Sequence, residues 1–261
     1  MMNGGHVKGY KIENANIIRQ IAKALEKLSD PEYFSNKYGI DPKDKGVLLF
    51  AVGDGNHSLA SAKAHWENTK ALIPQKMQAY HPARYAMVEV INVHDEGLIF
   101  EPIHRVLFNV YPKALIETMS KYFSNCSPVH VKTFPSKELM EQGTHELNTK
   151  FPGSHMFPFI SCDGYGIFII EKPKHNLGIA ALQEFLDYYL ESNPNIKIDY
   201  IHGENVVASI GTKPGNLGFY LNPIDKHMLF KTILLDGALP RKTFSMGEDE
   251  EKRYYLECKV I

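Results

Sequence analysis

The sequence predicts an α/β (α+β) fold in which helices pack on the faces of a mixed β-sheet. Short apolar runs alternate along the chain with segments whose apolar residues recur at helical spacing. The hydrophobic share of 44% and the charged share of 23% are typical of a globular protein that buries a core. Asp163-Gly164 stands between two apolar runs, which indicates a β-hairpin.

Helices are predicted where apolar residues repeat with helical spacing. Ile17, Ile21 and Leu28 lie on one face of the first of these segments, so we expect an amphipathic helix that packs on the core. The predicted helices are 15–28, 31–38, a helix from Leu59 past Trp66, 113–123, 136–148, 177–190, a short helix near 204, and 225–235.

Strands are predicted where an apolar run is too short for an isolated helix. Residues 47–52 are six apolar residues between two glycines, and they predict a buried central strand that ends near Gly53. Residues 84–93 are long and mostly apolar, which predicts a second strand with both faces covered. The other predicted strands are 129–134, 156–160, 166–170, 217–221 and an edge strand at 253–261.

Length and charge restrict the organisation and the partners of the protein. With 261 residues and no linker that forces a boundary, we expect one domain, and two lobes would meet near Pro112. The net charge of −1 provides no general attraction for nucleic acid or a membrane. Three scattered cysteines form neither a disulfide framework nor a zinc spacing, so a cytoplasmic protein is expected. The oligomeric state is not indicated.

The turn after the predicted central strand is the main candidate site. Glycines on both sides of Asp54 allow a sharp turn and close approach of a ligand, and Asn56 or Ser58 is placed to cap the next helix. A helix start attracts an anion such as phosphate. Asp54 is suited to hold Mg²⁺ or accept a proton, and His57 to donate to phosphate or exchange a proton. An ordinary Asp turn beside a surface histidine is the alternative.

A second group of charged residues follows at Glu101, His104 and Arg105. One interpretation is a partly buried, ion-paired cluster that joins segments of the fold. In the other, Arg105 faces the anion that Asp54 and His57 also bind. A metal set is conceivable from imidazole and carboxylate ligands, although its spacing matches no known motif; its members are His57, His94, Asp95 and His104.

Several blocks of sequence resemble one family. The run Asp-Gly-Asn-His-Ser at 54–58 resembles the Asp-Gly-His-His-Arg signature of the family catalogued as domain of unknown function 1015, and the blocks 83–89, 100–105, 199–203 and 239–244 resemble later parts of it in order. The family is similar to the ParB/sulfiredoxin superfamily, whose members bind nucleotides, and to free serine kinases. The resemblance implies a ParB/sulfiredoxin-like fold, Mg²⁺ with ATP or ADP, and phosphoryl transfer to a small hydroxylated metabolite such as serine.

The resemblance also implies roles for particular residues. Asp54, His57 and Arg105 would be catalytic, with Asp54 also the metal ligand. Phosphate or nucleotide would be bound by Gly53, Gly55, Asn56, Ser58, Glu101, His104, Arg241 and Lys242.

Two departures from the family pattern keep other functions open. Ser58 stands where many relatives have arginine, and relatives carry a longer N-terminal portion that contains an essential acidic residue in the serine kinases. The alternatives are a non-catalytic ligand-binding or regulatory protein, and an inactive C-terminal fragment of a longer enzyme.

Overall fold

The computed structural model describes residues 8–43 and 46–246, and the chain divides into two compact units. The first unit includes the chain up to Gly97, and the second is Leu98–Gly247. Helices and β-sheets are both present, which confirms the α/β class. The single domain with a break near 112 stays a prediction, and Pro112 opens a helix within the second unit.

The first unit is helical in its described residues. Asn14 caps the first helix by accepting the Asn16 N–H at 2.8 Å, and Asp30 caps the second by accepting the Tyr33 N–H at 2.7 Å. Gly39 ends the second helix in the left-handed conformation, at φ 66°. The elements are α1 (Ala15–Leu28), α2 (Pro31–Tyr38), α3 (Asn56–Lys70), α4 (Gln75–Gln78) and a 3₁₀ turn at Pro82–Arg84.

Three predictions for this unit were wrong. Residues 47–52 and 84–93 form no strand, and apolar side chains within them are exposed, including Phe50 at 54% and Val90 at 65%. A strand needs a neighbouring strand to pair with, and neither segment pairs with a strand among the described residues. The bounds of α1 are confirmed, but no residue of α1 is buried, so it does not pack on a core as expected.

The second unit contains two sheets and the remaining helices. In chain order its elements are β1 (Phe100–Pro102), β2 (His104–Phe108), α5 (Pro112–Ser124), β3 (Val129–Phe134), α6 (Lys137–Lys150), β4 (His155–Ser161), β5 (Gly164–Ile170), α7 (Gly178–Ser192), β6 (Lys197–Ile201), α8 (Glu204–Gly211), β7 (Asn216–Phe219), a 3₁₀ turn at Lys226–Met228, α9 (Leu229–Asp236) and β8 (Phe244–Met246).

Every strand pairing in the described residues is antiparallel, whereas a mixed sheet was expected. The larger sheet has the order β3-β5-β4-β7-β2-β6, and the smaller pairs β1 with β8. The hairpin predicted from Asp163-Gly164 is confirmed, because Ser161 pairs with Gly164 across a two-residue turn. The order places β2 between β7 and β6, so its backbone is paired with a strand at both edges.

Helices cover both faces of the larger sheet. On one face α5 and α7 pack against aromatic and aliphatic residues such as Leu107, Phe168 and Phe219. On the other face α6 and α8 pack against residues such as Val106 and Ile167. Neighbouring residues of β2 therefore enter different cores, because side chains alternate along a strand.

The sequence located most elements of this unit. The helices predicted at 113–123, 136–148 and 177–190 and the strands at 129–134, 156–160 and 166–170 are confirmed within a few residues. The helix expected over 225–235 is a 3₁₀ turn followed by α9. The strand expected at 253–261 lies outside the described residues. β1, β2, β6 and β8 were not predicted. In the part of the chain that is described, no helix has the length and hydropathy needed to cross a membrane.

Gly166 is the closest contact point within the larger sheet. The ring of Phe159, its cross-strand partner, lies over it, and a Cβ added there would stand 2.9 Å from the Lys132 carbonyl oxygen. We expect Gly166→Ala to lower the free energy of unfolding by about 1–3 kcal/mol through overpacking. Chemical denaturation monitored by circular dichroism measures the change.

Gly178→Ala is the matched control, because its added Cβ would meet no atom closer than 3.4 Å and the residue lies in a helix. It should be neutral or slightly stabilising. Equal losses in the two variants would contradict the close packing at Gly166.

Candidate functional site

The turn from Gly53 to Ser58 precedes α3 and carries the residues predicted to bind phosphate. Gly55, not Asn56 or Ser58, occupies the N-cap, at φ 75°, and no side chain caps the helix. The first helical hydrogen bond is donated by Leu59 to the Gly55 carbonyl at 2.9 Å. The N–H groups of residues 56–58 therefore have no acceptor among the described residues.

Asp54 and His57 stand beside these N–H groups and are exposed. One oxygen of Asp54, Oδ1, accepts the Gly55 N–H at 2.8 Å, and its other oxygen has no protein donor in the described part of the chain. The turn thus combines free backbone donors, a carboxylate and an imidazole within five residues of sequence. Such a set suits an anion that carries a metal ion.

Arg105 lies in the second unit, on β2, and is fully buried at 0% exposure. Its Nε donates to Gln183 Oε1 at 3.1 Å, and its two terminal nitrogens donate to the carbonyls of Ile103 at 2.5 Å and Arg241 at 3.2 Å. The guanidinium lies 4.6 Å from the ring centroid of Tyr200. One side chain therefore joins β2, α7 and the segment after α9.

The network continues outward from Arg105. Gln183 donates to Asp187 Oδ1 at 2.9 Å, and Arg241 Nη2 donates to the same oxygen at 2.8 Å. Arg241 is thus held at its carbonyl by one arginine and at its guanidinium by Asp187. Lys242, next in the chain, adopts a left-handed conformation at φ 54°.

The pKa of Arg105 is lowered to about 10, mainly by burial and also by the neighbouring Arg241, while Tyr200 and Asp187 oppose the shift. No carboxylate pairs with Arg105 in the described residues. One interpretation of the sequence was that Glu101, His104 and Arg105 form a cluster that joins segments of the fold. The structure shows that Arg105 does join such segments. It does so through carbonyl and amide oxygens rather than through Glu101, which lies on β1.

His104 points to the opposite face of the sheet from Arg105 and is 1% exposed. Its Nδ1 accepts the Leu221 N–H at 3.0 Å, and its ring meets Tyr220 edge-on at 5.9 Å. Burial lowers the pKa of His104, opposed by the charge of Glu204. His104 therefore acts as a neutral acceptor in the core, with little surface left for a ligand.

The predicted site residues fall into two groups. Gly53 to Ser58 belong to the first unit, and the remainder, Glu101, His104, Arg105, Arg241 and Lys242, belong to the second. Within the second group the structure brings Arg105 and Arg241 together. Convergence of the two groups on one cleft stays a prediction. Among the described residues, no group of three or more potential ligands is placed to hold a metal, so the four-residue set of His57, His94, Asp95 and His104 does not form.

Sequence analysis missed three residues of the network around Arg105, namely Gln183, Asp187 and Tyr200. Gln183 carried a signal, because it occupies a buried position, 3% exposed, on the otherwise apolar face of α7. A polar residue at such a position normally bonds another buried polar group.

Comparison with known proteins identifies one match. A model of the family described as "Protein of unknown function (DUF1015)" matches residues 1–189. No curated protein and no solved structure matches the chain. The matched range includes the 54–58 turn, Arg105 and Gln183, and it ends before the blocks at 199–203 and 239–244, whose family resemblance stays a prediction.

Arg105→Met keeps the side-chain length but removes the donors. We expect the free energy of unfolding to fall by about 2–4 kcal/mol, because three buried acceptors lose their partner while the cost of burying one charge is relieved. Urea denaturation measures the change. Arg241→Gln keeps the backbone carbonyl that Arg105 contacts and removes the exposed pair with Asp187 and the contact with the Tyr200 ring, so it should cost about 0–1 kcal/mol. Similar small losses in both variants would contradict the anchoring role of Arg105.

Burial of neutral histidines predicts a pH dependence of stability. The pKa of His104 and that of His155 are both lowered from 6.5, mainly by burial, so the unfolded chain binds these protons more readily. The free energy of unfolding should therefore decrease as the pH falls below 6.5 toward the lowered folded values. His104→Asn preserves an acceptor for Leu221 and should flatten this decrease, by at most about 1.4 kcal/mol per pH unit.

Denaturation between about pH 7.5 and about pH 5.5 tests this expectation. The exposed His145→Asn is the control and should leave the pH profile unchanged. An unchanged slope in His104→Asn would show that His104 does not titrate between the folded and unfolded states as expected.

Proposed function

Since this chain belongs to the DUF1015 family, whose description assigns no function, we propose that it binds the phosphates of a nucleotide, ATP or ADP with Mg²⁺, at the start of α3. We further propose that it transfers a phosphoryl group to a small hydroxylated metabolite such as free serine.

The single observation that supports this proposal is the uncapped N-terminus of α3 beside the exposed side chains of Asp54 and His57. A Ser, Asp or Asn side chain satisfies an N-terminal donor in α1, α2 and α6, whereas α3, like α8, begins after a glycine and has no such cap. In α3 the cap is Gly55, so three successive N–H groups and the positive end of the dipole face an exposed turn. A phosphate group satisfies these donors, and the missing Cβ of Gly55 lets it approach the backbone.

Asp54 determines which kind of phosphate fits the turn. An exposed carboxylate repels a bare phosphate, but it attracts one that carries Mg²⁺. Magnesium commonly uses one or two carboxylates, substrate phosphates and water, so a single aspartate with a free oxygen fits the ion. Mg²⁺ would neutralise charge on the phosphates when bound.

The transfer reaction requires a base and an oriented donor. The acceptor hydroxyl oxygen would form a bond to the γ-phosphorus as the bond to the β,γ-bridging oxygen breaks, leaving ADP. The hydroxyl proton would pass to Asp54 or His57, which both lie at the turn.

A second candidate function is ligand binding without turnover. The burial of Arg105 favours it, because the guanidinium expected to stabilise the transition state donates to protein oxygens instead. In that case Arg105 positions the Arg241 segment and does not contact phosphate. Phosphoserine formation from ATP and serine separates the two functions, since only the enzyme would release ADP.

The test is calorimetric and thermal-shift titration of the whole chain with ATP, with and without Mg²⁺. At a ligand concentration one hundred times the Kd, binding should stabilise the protein by about 2.7 kcal/mol. Asp54→Asn preserves an acceptor for the Gly55 N–H but removes the charge, so the Mg²⁺-dependent part of the stabilisation should disappear.

Glu26→Gln is the matched control, because Glu26 is an exposed acid on α1 of the same unit. It should bind Mg²⁺ and ATP like the parent chain. An equal loss in both variants, or no stabilisation by any nucleotide in a folded chain, would contradict a nucleotide site at this turn.

A further inference from the structure

A cavity of about 490 Å³ lies in the second unit, between α7 and the segment 236–241 that follows α9. The exposed face of α7 forms one wall, and the backbone turn from Asp236 to Arg241 forms the other. This volume falls within the range of sites for small molecules. It lies outside the phosphate-binding turn, which belongs to the first unit.

Three of the six polar residues that line this cavity are acidic, and the others are His175, Gln183 and Arg241. Glu184 and Asp187 come from α7 and Asp236 from the end of α9, whereas Arg241 is the one arginine among the lining residues, which include no lysine. Arg241 is already paired with Asp187 at 2.8 Å. The negative charge of the cavity therefore comes from the two other carboxylates, Glu184 and Asp236.

Neither of these two carboxylates has a lysine or arginine partner in the described residues. Asp236 accepts hydrogen bonds from Asn176, through its backbone N–H at 3.1 Å and through its side-chain amide. Glu184 lies 2.5 Å from His175 Nε2 and bonds the Tyr122 hydroxyl. These contacts orient the carboxylates without a permanent positive charge, and each oxygen can accept a further bond.

Apolar residues occupy the space between the charged groups. Leu177, Ala180, Leu239 and Pro240 line the same cavity. A ligand that suits this lining has a positive group for the carboxylates and a short aliphatic part for the apolar walls. A free anion is disfavoured, because the net charge is negative and the one arginine is neutralised.

We propose that this cavity binds a small aliphatic amine, with its ammonium group on Asp236 and Glu184 and its methylene groups on Leu177 and Leu239. The Arg105–Gln183–Asp187 network holds the α7 wall and the Arg241 segment in place, so the cavity is formed before the ligand arrives. This proposal does not depend on nucleotide binding by the first unit.

The test is isothermal titration of the whole chain with 1,5-diaminopentane, 1,5-pentanediol and glutarate, which share a five-carbon chain. We expect saturable binding of the diamine that weakens with added salt, and little or no binding of the other two. Asp236→Asn and Glu184→Gln should each weaken diamine binding about tenfold, the effect of losing one charged hydrogen bond. Thermal melts of both variants confirm that they are folded.

Two control variants, and one variant that is expected to tighten diamine binding, complete the test. Glu146→Gln, an exposed acid on α6, and Asp54→Asn in the first unit should leave diamine binding unchanged. Arg241→Gln removes the cation that neutralises Asp187, so it should tighten diamine binding several-fold.

Three results would overturn the proposal: no saturable binding of the diamine, equal or tighter binding of glutarate or the diol, or unchanged affinity in both Asp236→Asn and Glu184→Gln. The Asp54→Asn variant is titrated both with ATP and Mg²⁺ and with the diamine. If it loses nucleotide binding but keeps diamine binding, the nucleotide site and the amine site are independent.

Discussion

The second unit depends on the burial of one guanidinium. A fully buried arginine without a carboxylate is costly unless its donors find acceptors, and Arg105 finds them in Ile103, Gln183 and Arg241. Those acceptors belong to the link between β1 and β2, to α7 and to the segment after α9, so the charge is satisfied only when all three are in their native positions. The arginine therefore links the correct packing of α7 on the sheet to the placement of a segment that packing alone would leave loose.

The same network connects the core to the surface of the unit. Gln183 bonds both Arg105 and Asp187, and Asp187 bonds the side chain of Arg241, so the polar contacts run from a buried strand to an exposed ion pair. The cavity that we propose for an amine lies at the outer end of this chain of contacts. The site that we propose at α3 has a different basis, because it rests on the backbone geometry around Gly55. One site is built by long-range packing, and the other by local conformation.

The two kinds of construction explain which predictions succeeded. The bounds of α1 and α2 were predicted to the residue, because capping side chains and apolar spacing act within a few residues. The β4–β5 hairpin was predicted for the same reason, since Asp-Gly favours its turn locally. The prediction of strands at 47–52 and 84–93 was wrong because an apolar run indicates only that a segment is compatible with a sheet. Whether a neighbour is present to pair with it depends on residues far away in the chain.

The sequence by itself determined the α/β class, most helices and strands of the second unit, and the uncommon set of residues in the 54–58 turn. These features follow from periodicity, turn chemistry and helix starts, which are interactions between near neighbours. Only the tertiary structure decided that Arg105 is a buried anchor, since its partners Gln183 and Arg241 lie 78 and 136 residues away. It also decided that His104 is a core acceptor, because Leu221, its donor, is 117 residues distant. Hydrogen bonds across such separations leave no local pattern, since folding alone brings the two groups together.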